Sequence, residues 1–123
     1  MNKDTEYNIN LDIKYDYLEE INIPQLVHLC RDKWYNQALC RVNDSVVRLG
    51  VVQGEFHWHK HDADDEFFLV LDGELLLDIE DKTFVLTKHR CCTVPMGVMH
   101  RTRAENKTVI LMIERTGVSP TGD

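Results

Sequence analysis

From residue 34 onward, short apolar runs alternate with turn residues such as asparagine, aspartate and glycine. Runs of four to eight residues that are rich in β-branched and aromatic side chains are typical of strands. The predicted strands cover residues 37–42, 45–52, 57–61, 66–71, 74–80, 83–86, 91–94, 99–103 and 107–114. Many short strands at regular spacing predict an all-β barrel or sandwich.

The first 33 residues do not follow this pattern. Asn22 is a good helix N-cap and Pro24 suits a first helical turn, so a short helix is expected there. Ile9, Leu11 and Ile13 alternate, which indicates either a short edge strand or a loosely attached arm. We therefore divide the chain into an N-terminal arm with a short helix (1–33), a β-barrel (34–115) and an irregular C-terminal tail (116–123).

Composition restricts the possible partners of this domain. The chain has 123 residues, 43% of them hydrophobic, which suits one compact domain with its own core. The net charge is −7 without a basic cluster, so we expect binding neither to nucleic acid nor to an anionic membrane. No apolar stretch is as long as a membrane span, and the polar start is unlike a signal peptide, so a cytoplasmic location is expected.

Three histidines at alternate positions form the most informative stretch. His57, His59 and His61 would share one face of a strand, because strand side chains alternate between faces. Glu66 follows five residues later and opens an apolar run, so a neighbouring strand could bring its carboxylate beside the imidazoles. A single histidine on a strand is most often structural. Several imidazoles with one carboxylate, however, suit a divalent first-row metal.

A second segment carries proline, glycine and histidine at Pro95, Gly97 and His100. Together the two segments resemble the two characteristic motifs of the cupin superfamily. The first motif matches Gly54, His59, His61, Glu66 and Gly73, and the second matches Pro95, Gly97 and His100. Three positions depart from the family pattern: four residues rather than five separate Gly54 from His59, His89 stands where the second motif begins with glycine, and Ala104 stands where it ends with asparagine.

The resemblance implies a fold and a set of metal ligands. Cupins fold as a double-stranded β-helix, or jelly-roll barrel. Matched by position, their ligands are His59, His61, Glu66 and His100, holding one divalent ion such as Zn, Fe, Mn, Ni or Cu. The similarity is greatest to small single-domain cupins labelled mannose-6-phosphate isomerase-like. It spans residues 34–123 and is carried by residues 54–70, 94–101, Glu114 and 121–123.

Two functions remain open from the sequence. A metal-dependent enzyme, of dioxygenase or isomerase type, would act on a small oxygen-bearing metabolite held at the open metal positions. The alternative is a non-catalytic cupin that binds or senses a small molecule. In the first case His57, one step further out than His59, is the candidate general acid or base, whereas a hydrogen-bonding role at the barrel rim is the alternative.

The expected partners are a small-molecule ligand or substrate and a second copy of the chain. Small barrels expose apolar sheet faces and edge strands that need cover. A homodimer is therefore expected, and residues 9–13 are the candidate cover.

Overall fold

The computed structural model describes residues 7–123. Its elements are β1 (Asn8–Asn10), α1 (Ile23–Leu29), β2 (Trp34–Val42), β3 (Ser45–Glu55), β4 (Glu66–Asp72), β5 (Glu74–Ile79), β6 (Lys82–Thr87), β7 (Cys91–Val94) and β8 (His100–Arg115). Within the part of the chain so described, no helix combines the length and the apolar character that crossing a membrane requires.

The strands form the expected all-β jelly roll. Five strands follow one another in the order β2, β3, β8, β4 and β7, with β1 added beside β2, while β5 pairs with β6 and with the start of β8. Strand β8 is 16 residues long. Its first residues pair with β5 and its later residues pair with β3 and β4, so this one strand connects the two faces of the barrel.

Three predicted strands differ from the structure. Residues 100–103 and 107–114 belong to one continuous strand, β8, because β3 pairs with it on both sides of Asn106. Residues 57–61 are not a strand. They pair only at His59, whose N–H and C=O exchange hydrogen bonds of 2.9 and 2.8 Å with His100.

Inward-facing apolar side chains fill most of the barrel. The buried cluster contains Trp34, Val52, Phe56, Phe68, Val70, Leu75, Leu77, Leu86, Val94, Ala104, Ile110 and Met112. Gly50 shows how tightly this interior is packed, since a Cβ at that position would lie 2.8 Å from Ile110 Cγ1. Overpacking of this kind usually costs about 1–3 kcal/mol.

The N-terminal segment packs on the outer face of the barrel, so from residue 7 onward it is not a loose arm. Strand β1 lies parallel to β2, with Ile9 opposite Asn36. A second apolar cluster joins α1 and the preceding loop to the outer faces of β2, β3 and β8. The helix begins as predicted, because Asn22 Oδ1 accepts a hydrogen bond from Gln25 N at 3.1 Å. The homodimer stays a prediction.

Asp78, Arg101 and Arg103 form an ionic cluster on the outer face, where β5 pairs with β8. Asp78 is 5% exposed and accepts hydrogen bonds from Arg101 Nε at 2.9 Å and from Arg103 Nε at 2.7 Å. Thr83 Oγ1 donates a further bond of 2.6 Å. The Arg103 hydrogen bond, together with those from Thr83 and Arg101, holds the pKa of Asp78 well below its usual 3.8.

We predict that Asp78→Asn lowers the free energy of unfolding by about 1–2 kcal/mol at pH 7, because charge-assisted hydrogen bonds are lost. A carboxyl group with a depressed folded-state pKa stabilises the fold above its unfolded pKa, and this contribution is lost as the pH falls. The difference from wild type should therefore stay constant between about pH 7 and 5 and shrink below about pH 4. Urea unfolding at several pH values measures it.

Glu55→Gln is the matched control. The Glu55 carboxylate also accepts a hydrogen bond from Arg101, from Nη1 at 3.1 Å, but the Glu55 side chain is 65% exposed. An exposed ion pair contributes about 0–1 kcal/mol. Equal effects of the two substitutions, or an Asp78→Asn effect that does not shrink at pH 3, would contradict this account of the cluster.

Candidate metal centre

Four buried side chains converge at one place in the barrel wall. His59, His61, Glu66 and His100 each present one ligand atom, and these atoms all lie within 4.8 Å of one another. Glu66 is the first residue of β4 and His100 is the first residue of β8, while the other two lie on the extended segment between β3 and β4. The side chains that the sequence analysis selected as ligands are therefore brought together.

The carboxylate of Glu66 joins two of the imidazoles. Its Oε1 lies 3.2 Å from His61 Nε2 and 3.2 Å from His100 Nε2. Glu66 is 4% exposed, so its charge is shielded from water. A buried carboxylate is costly unless cationic or hydrogen-bonding groups surround it, and the imidazoles supply these contacts.

Backbone carbonyls fix the ring orientation of two histidines. His59 Nδ1 lies 3.0 Å from the carbonyl oxygen of His57, and His100 Nδ1 lies 2.9 Å from that of Val98. A carbonyl oxygen only accepts hydrogen bonds, so both Nδ1 atoms carry the proton. Each Nε2 is then left for the centre, which is the arrangement that metal-binding histidines commonly have.

The local electrostatics favour a neutral His59 and an ionised Glu66, which are the states that metal ligands need, whereas they favour a proton on His61. Burial, aided by the nearby His100 and His61, lowers the pKa of His59 to about 4, so its ring is neutral at pH 7. Burial acts to raise the pKa of Glu66, but hydrogen bonds with His100 and His61 outweigh it and lower that pKa. For His61, the bond to Glu66 and the nearby negative charges outweigh the opposing effect of burial and raise the pKa.

These residues fit a divalent metal ion. Three imidazole nitrogens and one carboxylate oxygen form a donor set that Zn, Fe, Mn, Ni and Cu accept. The Nδ1 proton of His100 is committed to Val98, yet its Nε2 faces a carboxylate oxygen. These two atoms, His100 Nε2 and Glu66 Oε1, are both hydrogen-bond acceptors and repel each other unless a cation lies between them. That cation is either a second proton or a metal ion. The centre therefore could hold one metal ion, whose identity the geometry leaves open.

His57 lies next to the centre and does not belong to the group of four. Its Nε2 lies 2.7 Å from the carbonyl oxygen of Thr121 and therefore donates to it. Its ring stacks on Phe56 with centroids 4.4 Å apart, and its centroid is 5.5 Å from that of His59. The catalytic role of His57 stays a prediction, and the contact with Thr121 shows the hydrogen bond that the alternative reading expected.

The C-terminal segment, residues 118–123, runs alongside the histidine segment. The N–H of Asp123 donates to Lys60 O at 2.9 Å, and Asp123 Oδ2 accepts from Asp62 N at 2.6 Å. Gly122 contacts the ligand side chain directly, since a Cβ there would lie 2.5 Å from His59 Cβ. Only glycine fits at this position, so the segment closes tightly over the centre.

A small cavity of about 20 Å³ lies inside the barrel beside the centre. His59 and Glu66 form one part of its wall, and Pro120 of the C-terminal segment forms another. Most of the remaining wall is apolar, with Trp34 and Phe68 among its members. The volume suits a single water-sized group, so any larger molecule reaches the centre only if part of this wall moves.

A buried ion pair lies behind the centre. Arg48 Nε donates to Glu114 Oε1 at 2.7 Å, and the two residues are only 4% and 3% exposed. Burial and the nearby Glu66 carboxylate raise the pKa of Glu114, while Arg48 opposes this effect. Sequence reasoning gave neither residue a role, although an arginine within the apolar run of β3 was a usable signal.

Comparison with known proteins identifies the family. A family model described as a cupin domain matches residues 45–114, which is more than half of the chain. This chain belongs to the cupin family. The matched residues include all four converging side chains, His59, His61, Glu66 and His100. The family predicted from the two motifs is thereby confirmed.

Two sequence relatives of this cupin carry no assigned activity in their names. The uncharacterized protein YdbB of Bacillus subtilis is 43% identical over 94 residues, which are 76% of this chain and 83% of the relative. A cupin-2 domain containing protein from Shewanella frigidimarina has a crystal structure and is 32% identical. Its superposition covers 77% of this chain and 93% of that chain, with a TM-score of 0.73.

A more distant structure supports the fold alone. A Neisseria meningitidis protein is 24% identical, and the superposition covers 79% of this chain and 99% of that chain with a TM-score of 0.69. None of these three relatives supplies a reaction for this cupin. The mannose-6-phosphate isomerase-like subtype therefore stays a prediction.

We predict that Arg48→Met lowers the free energy of unfolding of this cupin by about 3 kcal/mol or more, because it leaves the Glu114 carboxylate buried without its partner. The double variant Arg48→Met/Glu114→Leu should recover most of that loss, since an apolar pair replaces the ion pair. Urea unfolding of both variants and wild type checks this. A double variant as unstable as the single one would show that the arginine acts through packing alone.

Proposed function

We propose that this cupin is a metal-dependent enzyme, of dioxygenase or isomerase type, acting on a small oxygen-bearing metabolite. The observation that carries the proposal is the group of four buried ligand atoms within 4.8 Å of one another, next to an interior cavity. In this proposal His59, His61, Glu66 and His100 hold one divalent ion, which is Zn, Fe, Mn, Ni or Cu. Such an ion, when bound, polarises an oxygen of the substrate or binds dioxygen.

The protein's own residues supply orientation and exclusion of water. The carbonyls of His57 and Val98 hold two ligand rings in place through their Nδ1 protons. Phe56 and Phe68 are buried and line the cavity beside the centre, which keeps bulk water from it. A dry site strengthens the electrostatic interactions between a substrate and the groups that hold it.

The cavity wall supports an uncharged metabolite over a phosphate ester. Among the described residues that line this cavity there is no lysine and no arginine. The only charged side chain at the wall is the Glu66 carboxylate, apart from any charge on His59. A phosphate would find no cationic side chain in this wall and only an ion held by the four-ligand centre as its counterion.

The first test is metal retention, measured by mass spectrometry on protein purified without chelator. We expect close to one ion per chain in wild type and its loss in Glu66→Gln and in the double variant His59→Ala/His100→Ala. His28→Ala is the control, because His28 is an exposed histidine of α1 outside the centre. Full metal content in both centre variants would contradict the ligand assignment.

The second test separates an enzyme from a binding protein. Metal-loaded wild type and the Glu66→Gln variant are each incubated with an aerobic extract of small metabolites, and mass spectrometry follows every compound while oxygen uptake is recorded. The proposal expects catalytic loss of a metabolite and appearance of a product with wild type only. A metabolite that binds wild-type protein stoichiometrically and is recovered unchanged would instead support the binding or sensing function.

Closure by residues 118–123 leads to a prediction about access to the bound ion. His57→Leu removes the hydrogen bond to Thr121, and Asp123→Ala removes the one from Asp62. Each change should increase the rate at which EDTA removes the metal by roughly two- to tenfold, the equivalent of one hydrogen bond. His28→Leu should leave that rate unchanged.

One result would contradict the prediction that residues 118–123 control access to the ion. If His57→Leu and Asp123→Ala both release the ion at the wild-type rate, the C-terminal segment does not control the route to the centre. Chelator-induced release followed by a metal-sensitive dye provides the rates without requiring a known substrate.

A further inference from the structure

One polar side chain inside the barrel is not used by the centre or by the fold. Asn36 of β2 is 7% exposed, and its Oδ1 has no hydrogen-bond partner among the described residues. Buried side-chain polar atoms nearly always have a partner, and each exception calls for an explanation. An amide oxygen that meets only apolar groups lowers stability, because it has lost its contact with water.

Strand geometry directs this side chain into the cavity. Trp34 and Asn36 are alternate residues of β2 and line the cavity, whereas Tyr35 and Leu39 belong to the apolar cluster that joins the N-terminal segment. Asn36 lies opposite Gly50 in the register of β2 and β3. It lines the same cavity as His59 and Glu66, so the amide and the candidate metal ligands share one enclosed space.

The surroundings of the amide define what it can bind. Apart from Asn36 and the candidate ligands His59 and Glu66, the described wall carries one side-chain hydroxyl, that of Thr102, and most of the rest is apolar. A carbonyl-type oxygen accepts a hydrogen bond from a hydroxyl or an N–H group. No lysine or arginine lies among the described residues of this wall, so an anion would find no cationic side chain there.

We propose that Asn36 is the recognition residue for the ligand of this cupin, and that the ligand is a small uncharged molecule with a hydroxyl group. The hydroxyl donates to Asn36 Oδ1, while a second oxygen of the molecule faces the four-ligand centre. This inference rests on the proposed function, because it places the ligand in the cavity next to that centre. A site built to bind a hydroxyl discriminates strongly against an analogue that lacks it, since the amide is then left unpaired.

Pro120 accounts for the small size of the cavity. It lies on the cavity wall and belongs to the segment that hydrogen bonds hold over the centre. Binding of a molecule larger than water requires part of the wall to move, and Pro120 is the lining residue that belongs to the C-terminal segment. The amide of Asn36 belongs to β2, so it stays in place when the C-terminal segment moves.

The first arm of the experiment measures stability without any ligand. Asn36→Leu keeps the number and branching of the side-chain heavy atoms and removes the unpaired oxygen. The urea midpoint should be unchanged or higher than that of wild type, because a polar group without a partner has been replaced by an apolar one. A clearly lower midpoint would overturn the proposal, since it would show that the amide holds the fold together.

The second arm measures binding of two probes, hydroxyacetone and butan-2-one, to metal-reconstituted protein by calorimetry. The probes share a ketone and differ by a hydroxyl in place of a methyl group. Wild type should bind hydroxyacetone about tenfold more tightly, and Asn36→Leu should lose this preference. Thr102→Val, which removes the other uncharged polar group, should retain it.

The outcomes separate this inference from the proposed function. Metal content is measured on every variant, and Asn36→Leu should retain the wild-type amount, so loss of metal cannot be mistaken for loss of recognition. The proposal is overturned if Asn36→Leu keeps the preference for hydroxyacetone, or if wild type shows none. If wild type holds no metal, the proposed function fails, whereas the urea comparison still decides whether the amide has a structural role.

Discussion

The burial of the Glu66 carboxylate is the constraint on which this structure depends. It lies near a second buried carboxylate, Glu114, and Arg48 is the permanent cation that contacts Glu114. Two buried carboxylates and one arginine leave negative charge to be balanced. Protons on nearby groups can balance it, and a divalent ion held by the three imidazoles and Glu66 would balance it instead. The four side chains could therefore hold a cation where they meet.

The architecture serves this centre in several ways. Strand β8 supplies His100 at one end and Glu114 at the other, so a single strand supports both the centre and the ion pair behind it. The segment from His57 to His61 is joined to β8 by the pair of backbone bonds at His59 and by the contact of Trp58 with Arg101. Residues 118–123 cover its other side. Backbone carbonyls orient two of the candidate ligand rings, and single hydrogen bonds hold the C-terminal segment in place.

Part of this arrangement could be predicted from the sequence. Alternate histidines followed by Glu66 indicated a shared face, and the cupin resemblance added His100, because both signals depend on short-range spacing. The short helix was predictable for the same reason, from Asn22 and Pro24. The pairing of Arg48 with Glu114 was not, because the two residues are 66 positions apart and meet only through the register of β3 and β8.

Asn36 and the C-terminal segment were missed for other physical reasons. Both faces of β2 are buried, one by the barrel core and the other by the N-terminal segment, so hydrophobic alternation does not show which way an asparagine points. Residues 118–123 have no regular periodicity, and their position depends on single hydrogen bonds such as that between His57 and Thr121. Local patterns therefore predicted the four side chains that converge, while the groups that enclose them required the tertiary structure.

X-ray absorption spectroscopy on the metal-loaded protein tests the central claim most directly, because it identifies the atoms bound to the ion. The account predicts three imidazole nitrogens and at least one carboxylate oxygen, all at distances near 2.0–2.2 Å if the metal is zinc. A sulfur ligand near 2.3 Å would instead place the ion at one of the four cysteines. That result, or a spectrum with fewer than three imidazoles, would contradict the assignment of the centre to His59, His61, Glu66 and His100.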